Sequence, residues 1–133
     1  MLHDSKAFSG FSVNDATTAK AFYADTLGLE VTEENGGMLT LHLGSGAEVL
    51  IYAKDSHQPA TYTVLNFPVS DISATVDALI DKGVTFARYD GMEQDDKGIM
   101  HGLSVNMGPD IAWFTDPAGN VLSIMQTEPT TNA

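Results

Sequence analysis

One pattern of apolar, capping and turn residues is written twice along this chain, and few folds can use such a unit twice. Phe11, Val13 and Asp15 match Phe67, Val69 and Asp71 at an offset of 56 residues. Gly28 and Val31 match Gly83 and Phe86 at an offset of 55, and Leu41 and Gly46 match Phe114 and Gly119 at an offset of 73. Self-similarity of this kind marks a repeated supersecondary unit. The larger last offset places extra residues in the second unit, before Ile111. A unit with one helix can cover only one face of its sheet. Pairing two units therefore buries the helix-facing sides and leaves the other faces to curve around a cup.

Local signals give each unit its order. Phe8–Val13 alternates as a strand, and Asp15 is placed to cap a helix. Ala16, Ala19, Phe22, Tyr23 and Leu27 recur at helical spacing until Gly28 stops the helix. Strands are expected at Leu29–Glu33, Met38–Leu43 and Glu48–Ala53, separated by Asn35-Gly36-Gly37 and Gly44-Ser45-Gly46. Lys54 to Ala60 reads as a linker. The pattern restarts with a strand at Tyr62–Val69, a helix opened by Asp71 with Ile72, Val76, Leu79 and Ile80 on its apolar stripe, and a strand at Val84–Tyr89. Asp90 to Gly108 reads as a long loop or lid. Ile111–Thr115 and Asn120–Gln126 close the unit as a hairpin, and Thr127–Ala133 reads as a frayed polar tail. The expectation is one domain over residues 1–133, with module one at about 6–54 and module two at about 61–127.

Composition narrows the partners. A chain of 133 residues with 43% apolar content suits one domain with a real core. Eighteen acidic against six basic residues give a formal net charge of −12. Nucleic acid and anionic membranes are therefore not expected as partners, since both need positive surface. No apolar run approaches the roughly 18 residues of a membrane span. The first residues lack a basic and then apolar leader pattern, and there is no cysteine. A cytoplasmic location is the expectation. A homodimer is expected as well, because exposed sheet edges invite a partner.

Three stretches carry a family resemblance. FSVNDATTAKAFYADTLGLEV is a strand and helix ending in a Leu-Gly-Leu stop. LNFPVSDISATVDALIDKGVTF echoes it, and IAWFTDPAGNVLSIMQ is the closing segment, with a DPAGN hairpin before the last strand. Together they resemble the vicinal oxygen chelate superfamily of glyoxalases, bleomycin-resistance proteins and extradiol dioxygenases. The resemblance implies an α+β fold of two βαβββ modules, a curved mixed-sheet cup and helices on its outer face. Metal-dependent relatives place four His or carboxylate ligands in that cup. The corresponding positions here are Phe8, Val64, Leu50 and Ser123. Three cannot ligate a divalent ion, and a serine hydroxyl is a poor ligand beside imidazole or carboxylate. No metal and no other cofactor are expected.

Strand alternation projects other residues into the cup. Tyr52, Tyr62, Asn66, Trp113 and Ser123 are the candidate ligand-binding residues. They make an aromatic wall with a few polar groups, the usual makeup of a small-molecule pocket. His42, Glu48 and His101 are the candidate acid–base groups, with Tyr52 beside them. The long loop holds Met92, Met100 and His101, with Tyr89 at its start. Two functions follow. One is a metal-independent binding protein that takes a small aromatic or cationic ligand in the cup. The alternative is a lyase, isomerase or other enzyme of the same superfamily that uses acid–base residues without a metal. The second requires two of those groups within hydrogen-bond reach.

Overall fold

A computed structural model describes residues 1–129 of the chain. Part of the expected frayed tail, residues 130–133, lies outside the described residues. The chain divides into two compact units, Met1–Pro59 and Ala60–Ala133.

The first unit runs β1 (Ser9–Val13), α1 (Ala16–Ala21), β2 (Glu30–Glu33), β3 (Leu39–His42) and β4 (Glu48–Ala53). Its four strands are ordered β1-β4-β3-β2, with β1 parallel to β4 and the rest antiparallel. Asp15 caps α1 as the sequence predicts, its carboxylate accepting from the Thr18 amide at 3.1 Å. The helix does not stay α-helical to Gly28. Phe22–Thr26 forms a widened π turn, closed by Leu27 N–H donating to the Phe22 carbonyl. Tyr23, on that turn, is fully buried, with the Phe22 ring edge-on to it at 5.2 Å. Val13, Leu39, Leu41, Val49 and Ile51 are buried, and alternation puts them together on the helix-bearing face.

The second unit runs β5 (Thr63–Pro68), α2 (Ile72–Asp81), β6 (Met100–His101), β7 (Asp110–Thr115) and β8 (Val121–Gln126). Its strand order is β5-β8-β7-β6. Asp71 caps α2 as Asp15 caps α1, accepting from the Ala74 amide at 3.0 Å. Buried Gln126 adds a second partner at that helix start: its Oε1 accepts from the Ile72 amide at 2.9 Å. Val76, Leu79, Ala112, Phe114, Leu122 and Ile124 form the core between helix and sheet. The α+β class and the doubled unit expected from the sequence are both present. Among the described residues no helix is long and apolar enough to cross a membrane.

Two expectations for the second unit need correction. Val84–Tyr89 is not a strand. It makes one bridge, Phe86 opposite Phe114, and one further bond from Ala87 N–H to the Trp113 carbonyl. Asp90–Gly108 is not a plain loop, because β6 lies within it and pairs with Asp110 and Ile111. The outer edge of β7 is thus paired by two pieces of chain, and the intervening residues are looped out between them. Gly98 makes this possible: its φ is +90°, and a Cβ there would come within 3.2 Å of the Phe86 Cβ.

The DPAGN hairpin has a clear physical basis. Asp116 is buried, and its carboxylate accepts from the amides of Ala118 and Asn120 and from the Asn120 side chain, at 2.8–3.0 Å. Asp116→Ala should therefore strand several buried donors and lower stability by about 3 kcal/mol. Urea unfolding would measure this, and a change below about 0.5 kcal/mol would contradict the role given to Asp116.

Candidate functional site

Each sheet has a face opposite its helix, and the candidate residues divide between these faces. In the first unit the open face carries Gly10, Ser12, Thr32, Thr40, His42, Glu48, Leu50 and Tyr52. His42 stands between strand neighbours Glu30 and Glu48. Its Nε2 lies 2.9 Å from the Thr32 hydroxyl, and its Nδ1 lies 3.6 Å from Glu48 Oε1. The sequence offers no partner for His42, because cross-strand neighbours become visible only with the register. Glu48 is exposed and His42 half-buried, so this pair is open to solvent on the Glu48 side. Tyr52 is also exposed and lies opposite Ser12, whose hydroxyl is 2.6 Å from His57 Nδ1. His57 received no role from the sequence, since it falls in a polar linker.

In the second unit Asn66, Ser123 and Trp113 form one row across β5, β8 and β7. Ser123 is fully buried, and its hydroxyl donates to Asn66 Oδ1 at 2.5 Å. It therefore acts on the Asn66 amide rather than facing outward itself. Trp113 is half-buried, and the Tyr89 ring meets it edge-on at a centroid distance of 5.5 Å. Tyr62 does not join the row. It precedes β5 and is 71% exposed, and the register shifts between Thr63 and Leu65. That bulge moves the alternation by one residue, so Thr63 rather than Tyr62 or Val64 shares a face with Asn66.

The four positions that the resemblance compares with metal ligands carry no imidazole or carboxylate. Phe8 precedes β1 and is exposed. Val64 sits at the bulge, Leu50 is opposite Gly10, and Ser123 is spent on Asn66. Among the described residues no group of three or more His, Cys, Asp or Glu side chains is placed to hold a metal ion.

His101 lies on β6, where the sequence offers only a loop. Its Nε2 is 2.7 Å from Asp95 Oδ2, and its Nδ1 is 3.6 Å from Asp110 Oδ2. Asp95 Oδ1 also accepts from the amides of Lys97 and Ile99, both at 2.9 Å. Two clefts border this histidine. One, of about 380 Å³, is also lined by Asp71, Ser73, Asp110 and Gln126. The other, of about 540 Å³, is lined by Met92, Glu93, Met100, Val105 and Met107 among others.

The expected lid is in fact tied down. The Gln94 amide donates to the carbonyls of Ala87 and Gly98 and accepts from the Tyr89 amide. The Arg88 guanidinium donates to the carbonyls of Asp95 and Gln94. Lys97 reaches α2, donating to Ser73 and Asp77 at 2.9 Å.

Burial pushes the Asp95 carboxyl up. The hydrogen bond from His101, the amides of Ile99 and Lys97 and the His101 charge outweigh it, so the carboxyl lies below its ordinary value. A depressed carboxylate contributes stability above its unfolded value, about 3.9 for aspartate, and that contribution is lost as pH falls through the lower folded value. Carbon-detected NMR of the Asp95 carboxyl should show a midpoint below that of an ordinary aspartate. His101→Ala should raise the midpoint. An ordinary midpoint in the native chain would contradict the bonding described here.

Comparisons place the fold among known proteins. A sequence model described as the Glyoxalase/Bleomycin resistance protein/Dioxygenase superfamily matches residues 8–124. No curated protein matches the chain significantly. Among solved structures, a member of that superfamily from Sphaerobacter thermophilus DSM 20745 is 25% identical, covering 92% of this chain and 97% of its own, with a TM-score of 0.66. A putative glyoxalase family protein from Bacillus anthracis is 19% identical, covering 96% and 100%, with a TM-score of 0.66. TnmS3, an antibiotic binding protein from Streptomyces sp. CB03234, is 22% identical, covering 94% and 98%, with a TM-score of 0.66.

Proposed function

Since the chain belongs to the Glyoxalase/Bleomycin resistance protein/Dioxygenase superfamily, we propose that it is a metal-independent binding protein for a small, flat aromatic molecule. The ligand lies on the open sheet face of the second unit. The observation that carries this reading is the row of Trp113 and Asn66, with Tyr89 set against the indole and buried Ser123 holding the amide. An aromatic surface beside one oriented amide suits a ligand with a π face and a hydrogen-bond acceptor. With Oδ1 engaged by Ser123, the Asn66 NH₂ is the group offered to that acceptor. The residues at the metal positions give no reason to invoke an ion. A structural neighbour described as an antibiotic binding protein supports the same class of function.

Acid–base catalysis without a metal is the second reading. The close pair of His101 and Asp95 at the wall of two clefts favours it. Both ring nitrogens already face carboxylates, which leaves His101 poorly placed to take a substrate proton and makes it the weaker reading.

Trp113 is the chain's single tryptophan, so its fluorescence reports one place. Titration with proflavine or 2-naphthol should quench or shift that emission along a saturable curve. Asn66→Ala should weaken the better ligand about fivefold, the loss of one hydrogen bond. Quenching that rises linearly without saturation for both probes, and is unchanged in Asn66→Ala, would count against the proposal.

A further inference from the structure

The cleft of about 540 Å³ beside β6 shares no lining residue with the Trp113 row and is built differently. Three of the chain's six methionines, Met92, Met100 and Met107, line it together with Val105. Met107 is 77% exposed and Val105 62% exposed, an unusual cost on so small a surface. These side chains do not hang from a slack loop. The Leu103–Val105 turn is closed by Met107 N–H donating to the Gly102 carbonyl at 2.9 Å and by Leu103 N–H donating to Asp110 Oδ1 at 3.0 Å. Gly102 fixes the turn, because a Cβ there would strike the carbonyl oxygen of Pro109. The facing wall is held by the Gln94 and Arg88 bonds.

The polar side of the cleft is acidic. Asp95 is already occupied by His101 and two amides. Glu93 is exposed at the cleft wall and makes no hydrogen bond or ion pair among the described residues. An open carboxylate beside a preformed, methionine-rich apolar wall is complementary to a positive head on an apolar body. The chain's net charge of −12 adds to that attraction.

We propose that this cleft is a second binding site, for an amphipathic organic cation carrying an ammonium or guanidinium head on a short apolar chain. The head pairs with Glu93 at the mouth. The apolar body lies along Met92, Met100, Met107 and Val105, where unbranched thioether side chains adapt to varied shapes. Both walls are ordered in advance, so little of the binding free energy goes into arranging them. The site does not depend on the aromatic face, and its test reads different residues.

The probe is hexylammonium, with hexanol and hexanoate as controls, titrated into protein carrying ¹³C-methyl methionine. The methyl signals of Met92, Met100 and Met107 should move on one saturable curve with hexylammonium, while that of Met38 in the first unit stays still. Hexanol should bind more weakly and hexanoate weakest. Glu93→Gln should weaken hexylammonium about threefold, the size of an exposed charge pair, and leave hexanol unchanged. Added salt should have the same selective effect. Met107→Ser should weaken hexylammonium and hexanol alike. Both substitutions are at exposed positions, so folding is not at stake. Absence of saturable shifts, equal affinity for hexanol and hexylammonium, or indifference to Glu93→Gln would each overturn the proposal.

Discussion

The outer edge of β7 has to be hydrogen-bonded, and much of the second unit follows from how the chain meets that demand. An unpaired strand edge leaves donors and acceptors without partners and invites association. One continuous strand after α2 would be the simple answer. The chain instead uses Phe86 and Ala87 for one end of β7 and Met100 and His101 for the other. The residues between them leave the sheet and return. Tyr89 departs beside Trp113 and packs on its ring, while Met92, Asp95 and their neighbours become the wall of a cleft. An excursion of this kind is stable only if its own backbone is satisfied. Gln94, Arg88 and Asp95 do that work, each bonding main-chain groups across the loop.

The excursion belongs to the second unit alone. The extra residues supply His101, Asp95, Glu93 and the methionines, for which the first unit has no counterpart. The first unit keeps a more polar open face, where the His42 and Glu48 pair is solvated and worth little in a high dielectric. The fold family hosts many activities, so the fold alone does not choose among them. The side chains do. Phe8, Val64, Leu50 and a Ser123 hydroxyl spent on Asn66 stand at the positions that the resemblance compares with metal ligands, whereas an indole and an oriented amide stand together in one row.

The doubled architecture was legible because its signals are local and repeat. Asp15 and Asp71 announce helix starts by capping chemistry, and the DPAGN segment announces its hairpin because Asp116 can reach its own downstream amides. The register of the outer strands was not legible. The bulge that takes Tyr62 away from Asn66 depends on pairing with β8, which leaves no local mark. The split pairing of β7 was hidden for the same reason: Val84–Tyr89 has strand-like alternation, and the Gln94 and Arg88 bonds that hold it against the loop are visible only in the structure. Partners of His42 and His57 come from other strands or from residues distant in sequence, and His101 meets Asp95, six residues before it, because the excursion folds back on itself. Trp113 and Asn66 could be nominated individually, but the Ser123 bond that orients the amide needed the three-dimensional row.

The central claim is that the second unit's open face holds an organic molecule without help from a metal. A crystal structure of the protein purified from its own host, with no ligand added, tests this most directly. Retained density of a flat molecule against the Trp113 ring and within hydrogen-bond distance of the Asn66 amide is the predicted result. A divalent cation bound at full occupancy by His or carboxylate side chains would contradict it.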